Sequence, residues 1–394
     1  MYRLLSTVEW SINVVLMAIA YFMRADGRMP DKRKRTVCLF RYDSIGDFVL
    51  FTASLRDYRT HFGDSRVILI VNEVVERLAR GCPYVDEVWV LTRSSFRRDL
   101  RERWRWMVRL AGAGIDIAVN AVYSTDLAQF ECLVGWSWAG VRIAHGYNAD
   151  RVGGRRAWPF YTELAQCSGE KKHELERNAD LLRFLGMSSQ PNMNTEIWLT
   201  AQDEMAAALA LEPLLGSPFI VVVPGSQMNF KRWPAGLFGE LIRSVADRTN
   251  VAVVLCGDDS EKSLCESIAA MAHQGSPLPL VLAGRTDLGG LGGVIMRAEV
   301  VVGNDTATLH MAAALGIPVV CILGGGHYGR FFPYPDNARI KVVTNSLPCF
   351  QCDWKCIFDE MRCITGVTAT FVADEVVGFL QRRSDLQQRD RVAP

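Results

Sequence analysis

The segment GNDTATLHMAAALG, residues 303–316, places a carboxylate, two hydroxyls and an imidazole where an apolar run gives way to helical spacing. Asp305, Thr306, Ala307 and His310 therefore fall at the start of a predicted helix. The unsatisfied N–H groups and partial positive charge of a helix N-terminus favour anions such as phosphate. Asp305 also suits a helix N-cap, so the sequence leaves capping and phosphate binding both open.

Two other loops of the same half carry residue types that suit a nucleotide. VVVPGSQMNFKRWP offers the Ser226 hydroxyl and the Lys231 cation as a phosphate clamp, although it lacks the glycine spacing of a Walker A loop. In LCGDDSEK, Asp258 and Glu261 follow an apolar run, where nucleotide-binding sheets use an acidic side chain to accept ribose hydroxyls. An exposed acidic turn is the alternative for this loop. Together the loops place hydroxyl, cation and acid after successive predicted strands, which favours a nucleotide ligand.

The N-terminal half has one comparable loop, RYDSIGDFVLFTASLR. Gly46 allows a tight turn, and Asp47 lies where the following helix begins. A carboxylate in such a loop can act as a general base toward a substrate hydroxyl. It can equally serve as an N-cap, and the residues alone do not separate the two roles.

The elements that position these loops are short β-branched runs that alternate with helix-length segments from Thr36 onward. Apolar strands that do not alternate with polar residues, separated by helices, indicate parallel sheets covered on both faces. Two such sets occur, and the periodicity is interrupted near residues 187–203. We therefore predict two doubly wound α/β domains, residues 36–195 and 196–394, after an N-terminal segment of residues 1–35.

Bulk composition excludes some classes of partner. Lys and Arg number 44 against 43 Asp and Glu, so the net charge of +1 provides no overall field that would attract nucleic acid. The 11 cysteines are spread along the chain, as is typical of a protein in a reducing cytosol rather than of a small disulfide scaffold.

The N-terminal segment WSINVVLMAIAYFM, residues 10–23, is uncharged but shorter than the ~20 residues that a membrane-spanning helix needs. The basic stretch RADGRMPDKRKR follows it directly. An apolar helix beside a basic cluster suits an anionic membrane surface, and a helix packed on the first domain is the alternative.

A second basic segment, SFRRDLRERWRWMVRL, also has helical spacing. Its pattern predicts a core-facing stripe of Phe96, Leu100, Trp104 and Met107. The arginines lie on another face, which is either solvated or available to an anionic partner.

Four cysteines lie close together near the C-terminus, with the spacing Cys349-x2-Cys352-x3-Cys356-x6-Cys363. Four thiolates at short spacing can enclose a tetrahedral zinc ion or an iron centre. The spacing differs from that of a zinc ribbon, so a structural metal site and free thiols both remain open.

The blocks IGDFVLFTASLR, PGSQMNFKRWP and LAGRTDLGGLGGVIMRAEVVVGNDTATLHMAAALGIPVVCILG together resemble glycosyltransferase family 9, the ADP-heptose:lipopolysaccharide heptosyltransferases. The resemblance implies a GT-B architecture, in which two Rossmann-like domains face each other across a cleft and bind acceptor and nucleotide sugar respectively. It further implies metal-independent transfer of a sugar, expected to be heptose from ADP-heptose, to lipopolysaccharide or a related surface glycan. The expected location is the cytoplasm, with peripheral association at the inner face of the bacterial inner membrane.

The resemblance also assigns roles to residues. The family's GD aspartate corresponds to Asp47 as the base, and the lysine before WP corresponds to Lys231 beside the diphosphate. The family's D-[ST]-G-x-x-H block maps onto Asp305, Thr306, Ala307 and His310, with alanine replacing the usual glycine at 307. Gly46, Ser226, Asp258 and Glu261 complete the predicted donor-binding set.

Two other functions share this kind of fold. A nucleotide-sugar epimerase would need an acid/base set of histidine and carboxylate, and the sequence shows none that resembles that family. A non-catalytic sugar-binding homologue would have no need of Asp47, whose presence argues against it.

Overall fold

The structure is a computed structural model, and it describes residues 2–26, 34–123, 130–145, 159–165, 172–187, 190–273, 277–335 and 337–392. Contacts divide the chain into two compact units. The first contains residues 1–170 and 174–194, and the second contains residues 171–173 and 195–394.

The first unit has six strands in one parallel sheet. The strands are β1 Thr36–Arg41, β2 Arg66–Asn72, β3 Glu87–Leu91, β4 Ile117–Asn120, β5 Val141–His145 and β6 Glu163–Ala165, in the order β3-β2-β1-β4-β5-β6. The helices are α1 Tyr2–Asp26, α2 Ile45–Phe62, α3 Glu76–Ala79, α4 Arg93–Arg98, α5 Leu100–Gly112, α6 Cys132–Trp136 and α7 Glu174–Phe184, with a 3-10 turn at Glu73–Val75.

The second unit repeats this plan. Its strands are β7 Phe219–Val223, β8 Ala252–Leu255, β9 Leu280–Val281, β10 Val301–Asn304, β11 Val319–Ile322 and β12 Ile340–Val343, in the order β12-β11-β10-β7-β8-β9. Its helices are α8 Ala201–Ala210, α9 Ala235–Ala246, α10 Lys262–Ala272, α11 Leu288–Met296, α12 Ala307–Ala314, α13 Arg362–Thr365 and α14 Ala369–Val392. Short 3-10 turns cover Glu212–Leu214, Asn229–Lys231, Asp259–Glu261 and Gly325–His327.

Both sheets have the doubly wound strand order, which confirms the predicted fold class. In such sheets the strand order reverses between the two central strands, and ligands bind beyond the carboxyl ends of the strands there. The central strands are β1 and β4 in the first unit and β7 and β10 in the second. The predicted site residues follow β1, β7, β8 and β10, so all lie at the carboxyl ends of strands.

Each sheet is covered by its own apolar core. Trp136, Phe96 and Phe160 are among the fully buried side chains of the first core, while Trp233 and Phe238 belong to the second. Strands β1 and β7 are buried at every position, and therefore on both faces, which explains their continuous apolar sequences. The cores hold the strand ends, and therefore the loops that carry chemistry, in fixed positions.

Helix α1 packs against α5 and α6 through one face, on which Asn13, Met17 and Ala20 are buried. The indole N–H groups of Trp136 and Trp138 donate to the carbonyls of Asn13 and Met17, at 3.1 and 2.7 Å. Among the helices that the structure describes, none is long and apolar enough to cross a membrane.

The predicted core stripe on the SFRRDLRERWRWMVRL segment is wrong in part. Phe96 and Met107 are buried, but Leu100 is 63% exposed and Trp104 is 46% exposed. A new helix, α5, begins after Asp99, whose side chain caps it and accepts from the Arg101 N–H. The physical reason is the packing of α5 against α1 and α6: its buried side runs through Arg103, Trp106, Met107 and Leu110, which leaves Leu100 and Trp104 facing outward.

Candidate active site

A buried arginine organises the carboxyl end of β1. Arg41 is the last residue of the strand and has no exposed surface. Its guanidinium forms ion pairs with Asp43 at 2.9 Å, Asp47 at 3.5 Å and Glu174 at 3.9 Å. It also donates to the side-chain oxygen of Asn178 at 3.3 Å. The buried Arg177 also pairs with Glu174, at 3.6 Å, so two cations and three carboxylates share this site, and buried charges are tolerated only with such pairing.

Asp47 lies in the first turn of α2, which begins at Ile45. Ser44, not Asp47, is the N-cap, and its hydroxyl donates to Asp47 Oδ2 at 2.5 Å. The side chain of Asp47 is 21% exposed, so the carboxylate is held on one side and open to solvent on the other. Gly46, in the first unit, is the second residue of α2. The chain turns before the helix, at Asp43 and Ser44, so Gly46 is not part of the turn.

Asp43 was not predicted from the sequence, and its environment is unusual. Burial raises the pKa of Asp43 to about 8, against the opposing effect of Arg41, and Asp47 and Glu174 raise it further. A proton is therefore retained in this cluster at neutral pH. Within the cluster, that proton reduces the repulsion between neighbouring carboxylates.

In the second unit, Asn304 joins two of the predicted loops. This fully buried side chain donates to the carbonyls of Pro224 and Gly225, at 2.7 and 3.2 Å, and accepts from the Trp233 N–H at 3.0 Å. It therefore fixes the PGSQMNFKRWP loop against the end of β10. The sequence signal is a single amide in an apolar strand, immediately before Asp305.

Lys231 and Asp305 are in direct contact as a result. Lys231 Nζ lies 3.2 Å from Asp305 Oδ2, and their side chains are only 14% and 8% exposed. Asp305 does not cap the following helix: Thr306 occupies the N-cap position of α12, without a side-chain capping bond. The ion pair leaves two N–H donors of the lysine for other partners, because an ammonium group has three.

Around this pair, polar atoms are buried without partners. Among the described residues, Thr306 Oγ1, His327 Nδ1 and Trp354 Nε1 have no hydrogen-bond partner. Burial, together with the positive charges of Arg330 and Lys231, lowers the pKa of His327 to about 4. Unpaired buried donors are costly and are explained when a ligand satisfies them.

The imidazole of His310 is held by a hydrogen-bond partner and an aromatic ring. Its Nδ1 lies 2.8 Å from the Tyr334 hydroxyl, and its Nε2 lies 3.9 Å from Asp305 Oδ1. The ring stacks on Phe332, with 4.4 Å between centroids and 14° between planes. The imidazole is therefore oriented toward Asp305. Ala307 is the first residue of α12.

The predicted ribose-binding carboxylate lies against two glycines. Asp258 and Glu261 form a reciprocal capping box, in which Glu261 accepts from the Asp258 N–H at 3.1 Å. A side chain at Gly225 or Gly257 would collide with the Glu261 carboxylate. Burial raises the pKa of Glu261, and the backbone N–H of Ser226 opposes the rise by donating to it. Glu261 is thus half-buried beside the Ser226 loop, while Asp258 is exposed, so ribose binding by these two residues stays a prediction.

The cysteine segment packs on the same region. Trp354 and Phe350 cover Gly324, Gly325 and Gly326, where a side chain would have no room. Lys231 Nζ lies 5.1 Å from the centre of the Trp354 ring. The segment achieves this through left-handed backbone at Gln351, Asp353 and Trp354 (φ 64°, 50° and 62°). Trp354 is a site neighbour that the sequence did not indicate.

Cys349, Cys352 and Cys356 are half-buried thiols, and Cys363 is buried. Burial raises the pKa of Cys363, and Cys356 and Cys349 contribute to the rise. Within the described ranges, no three His, Cys, Asp or Glu side chains are grouped closely enough to hold a metal ion. Structural zinc or iron at these four cysteines therefore stays a prediction.

Comparison with known proteins places this geometry in a family. The sequence profile of glycosyltransferase family 9 (heptosyltransferase) matches residues 136–358, more than half of the 394-residue chain. Lipopolysaccharide heptosyltransferase 3 of Escherichia coli K12 is 23% identical over 301 residues, covering 74% of this chain and 83% of that protein. Lipopolysaccharide heptosyltransferase 1 of Pseudomonas aeruginosa is 29% identical over 323 residues, covering 80% and 85%.

A solved structure gives the same result for the fold. The ADP-heptose lipopolysaccharide heptosyltransferase II of Escherichia coli matches with a TM-score of 0.69 at 17% identity, covering 89% of this chain and 99% of that one. The match confirms the GT-B fold, and the family match favours a glycosyltransferase over an epimerase or a non-catalytic homologue. The chain is therefore a GT-B glycosyltransferase and belongs to glycosyltransferase family 9.

Proposed function

We propose that this protein transfers heptose from ADP-heptose to a lipopolysaccharide core or related surface-glycan acceptor, without a catalytic metal. The observation that carries the proposal is the Lys231–Asp305 pair at the start of α12, surrounded by buried polar atoms without partners. The proposal for donor and acceptor also draws on the relatives, whose names specify ADP-heptose and lipopolysaccharide.

The second unit binds the donor in this proposal. The ADP leaving group gains negative charge as the sugar departs, so donors that are already in place lower the barrier electrostatically. Lys231, the Thr306 hydroxyl and the N-terminal N–H groups of α12 supply such donors. Glu261 and Asp258 lie beside the Ser226 loop, where they can accept ribose hydroxyls.

The first unit supplies the base. Asp47 removes the proton from the acceptor hydroxyl as the new C–O bond to the anomeric carbon forms, and the ADP oxygen takes the electron pair of the broken bond. The support is its partly open carboxylate, which Ser44 orients and Arg41 faces at 3.5 Å. Arg41 and Ser44 act through Asp47 and are positioning residues.

We place the reaction in the cytoplasm, at the inner face of the bacterial inner membrane. The proposed acceptor is a lipid-linked glycan, and the proposed donor is a nucleotide sugar, so the enzyme must meet a membrane surface from the aqueous side.

The proposal is tested by incubating the protein with ADP-heptose and heptose-deficient lipopolysaccharide, with UDP- and GDP-sugars as comparisons. Mass spectrometry of the acceptor is expected to show addition of one heptose with ADP-heptose alone, and in the presence of a chelator. Transfer from another nucleotide sugar would contradict ADP-heptose as the donor. Loss of transfer with the chelator would contradict a metal-independent reaction.

The role of Asp47 is tested by Asp47→Asn. This variant keeps the shape of the side chain and removes the base, so the transfer rate is expected to fall by about 10²–10⁴-fold while ADP affinity is unchanged. Asp64→Asn, at an exposed aspartate of the same unit, is the matched control and should retain full activity. An active Asp47→Asn enzyme would remove the assignment.

A further inference from the structure

Between Ile12 and Phe22, the exposed residues of α1 are all apolar. Ile12, Val15, Tyr21 and Phe22 are 37%, 58%, 51% and 67% exposed. Residues 10–23 contain no charged side chain. A helix that is apolar on all sides is normally buried, because exposed apolar area is unfavourable in water. Packing of the inward face on the first unit explains the buried apolar residues of α1, but it does not explain the exposed ones.

Helix α1 cannot simply turn its outward face to the core. The indole N–H groups of Trp136 and Trp138 bind its backbone at Asn13 and Met17. A side chain at Gly135 would collide with Phe160 and crowd the Met17 sulfur, so this part of the core is tightly packed around α1. The apolar outward face is therefore a fixed feature of the first unit.

The neighbouring helix α5 adds a second exposed stripe. Leu100, Trp104 and Val108 follow at intervals of four residues and are 63%, 46% and 37% exposed. Arg101 and Arg105 lie one position further around the same helix and are also exposed. Tryptophan with adjacent arginines is the combination that suits the boundary between lipid acyl chains and phosphates.

Charge distinguishes the two partners that would cover such a face. Arg97, Arg98, Arg101 and Arg105 are exposed on α4 and α5, and the acidic side chains there are Asp99 and Glu102. The sequence RADGRMPDKRKR, which begins in the last turn of α1 and continues outside the described residues, adds six basic and two acidic residues. A second copy of the chain would bring a like-charged surface against this one, which is unfavourable. An anionic phospholipid surface is complementary to it.

We propose that the outward faces of α1 and α5 form a docking surface for an anionic phospholipid bilayer. Phe22, Val15 and Trp104 enter the region between headgroups and acyl chains, and Arg101 and Arg105 bind lipid phosphates. The inference deepens the proposed membrane location but rests on the surface of the first unit alone. The membrane surface proposed here does not depend on which sugar donor the protein uses or on whether it transfers heptose.

The test is sedimentation of the full chain with vesicles of phosphatidylcholine, and with vesicles of equal parts phosphatidylcholine and phosphatidylglycerol. We expect binding to the mixed vesicles and weak binding to phosphatidylcholine alone. The Arg101→Gln/Arg105→Gln variant should bind the mixed vesicles roughly 30-fold more weakly, about fivefold per arginine. Phe22→Ser should weaken binding by about tenfold or more, because a large apolar side chain no longer enters the lipid.

Matched controls use exposed residues elsewhere. Phe371→Ser replaces a phenylalanine that is 50% exposed on α14, and Arg80→Gln/Arg248→Gln removes two exposed arginines; both should bind vesicles like the wild type. ADP affinity of every variant, measured by calorimetry without lipid, reports on folding and on the nucleotide site separately.

Three results would overturn the proposal. One is failure of the wild type to bind mixed vesicles, and another is equal loss of binding in test and control variants. The third is a wild-type dimer in light scattering that Phe22→Ser converts to a monomer, because a second copy would then cover α1. Failure of ADP binding or heptose transfer with intact vesicle binding would count against the proposed function instead.

Discussion

The cluster around Arg41 and the cluster around Lys231 are both built at the carboxyl ends of parallel strands, yet their charges differ. Arg41 faces three carboxylates, one of which Arg177 also pairs with, whereas among the described residues Lys231 forms one ion pair, with Asp305. The first cluster is rich in carboxylates, which suits a group that accepts a proton. The second has one paired cation, a helix N-terminus and buried polar atoms without partners, which suits an anionic ligand. Similar strand topology thus supports opposite electrostatic tasks.

The largest expected effect is the loss of the shared cation in the first cluster. Arg41→Met removes the buried cation that faces Asp43 and Asp47 and leaves Glu174 to Arg177, so the free energy of unfolding should fall by about 3–5 kcal/mol. Arg80→Met, in the exposed Arg80–Glu76 pair, is the control and should lose at most about 1 kcal/mol. Urea denaturation measures both.

A double variant sharpens this result. Adding Asp47→Asn to Arg41→Met removes the charge of a carboxylate that Arg41 faces at 3.5 Å and should recover part of the lost stability. Additive losses in the double variant would show that Arg41 acts through packing and not through these charges.

The second cluster should respond in ligand binding more than in stability. Lys231→Ala removes a charged donor and leaves Asp305 to repel the diphosphate, so ADP binding should weaken by about 1.5–3 kcal/mol. The loss should shrink at high salt, because part of the attraction is a screened charge interaction. Calorimetric titration with ADP, UDP and GDP measures it.

Lys341→Ala is the matched control, because Lys341 is an exposed lysine on β12 of the same unit. If Lys231→Ala binds ADP as well as this control does, the nucleotide has been assigned to the wrong loops. Weakened ADP binding in Asp47→Asn would indicate the same error from the other unit.

The smallest expected effect is a pH dependence from Asp43. Its pKa is about 8 in the folded chain and near the ordinary aspartate value of 3.8 in the unfolded chain. Between these values the folded state binds more protons, so this contribution to stability is complete below the unfolded pKa and is lost as pH rises through 8. Asp43→Asn should therefore be less sensitive to pH over this window.

The comparison is the unfolding free energy of wild type and Asp43→Asn at pH 5.5 and pH 8. The wild type should lose at least about 1.4 kcal/mol more than the variant, the equivalent of one pKa unit. Equal losses would mean that the cluster does not retain a proton on Asp43.

The sequence by itself determined the alternation of apolar strands with helices, and with it the two doubly wound units. It also determined which loops follow strands, because a β-branched run that ends in polar residues, between helix-length segments, indicates a strand followed by a loop. Lys231 and Asp305 lie 74 positions apart along the chain, and their loops were both identified as candidates. These properties are local, so they can be read from adjacent residues.

Only the tertiary structure decided which side chains share an environment. Arg41 and Glu174 come together through the packing of β1 with a helix far along the chain, and Asn304 joins loops that no local pattern connects. Trp354 reaches Lys231 through a left-handed backbone that sequence spacing does not specify. Packing of α5 against α1 and α6 buries Trp106 and Met107 and leaves Leu100 and Trp104 exposed, which the helical spacing by itself does not specify. Pairing and burial depend on contacts between distant segments, so they were settled by folding and not by local pattern.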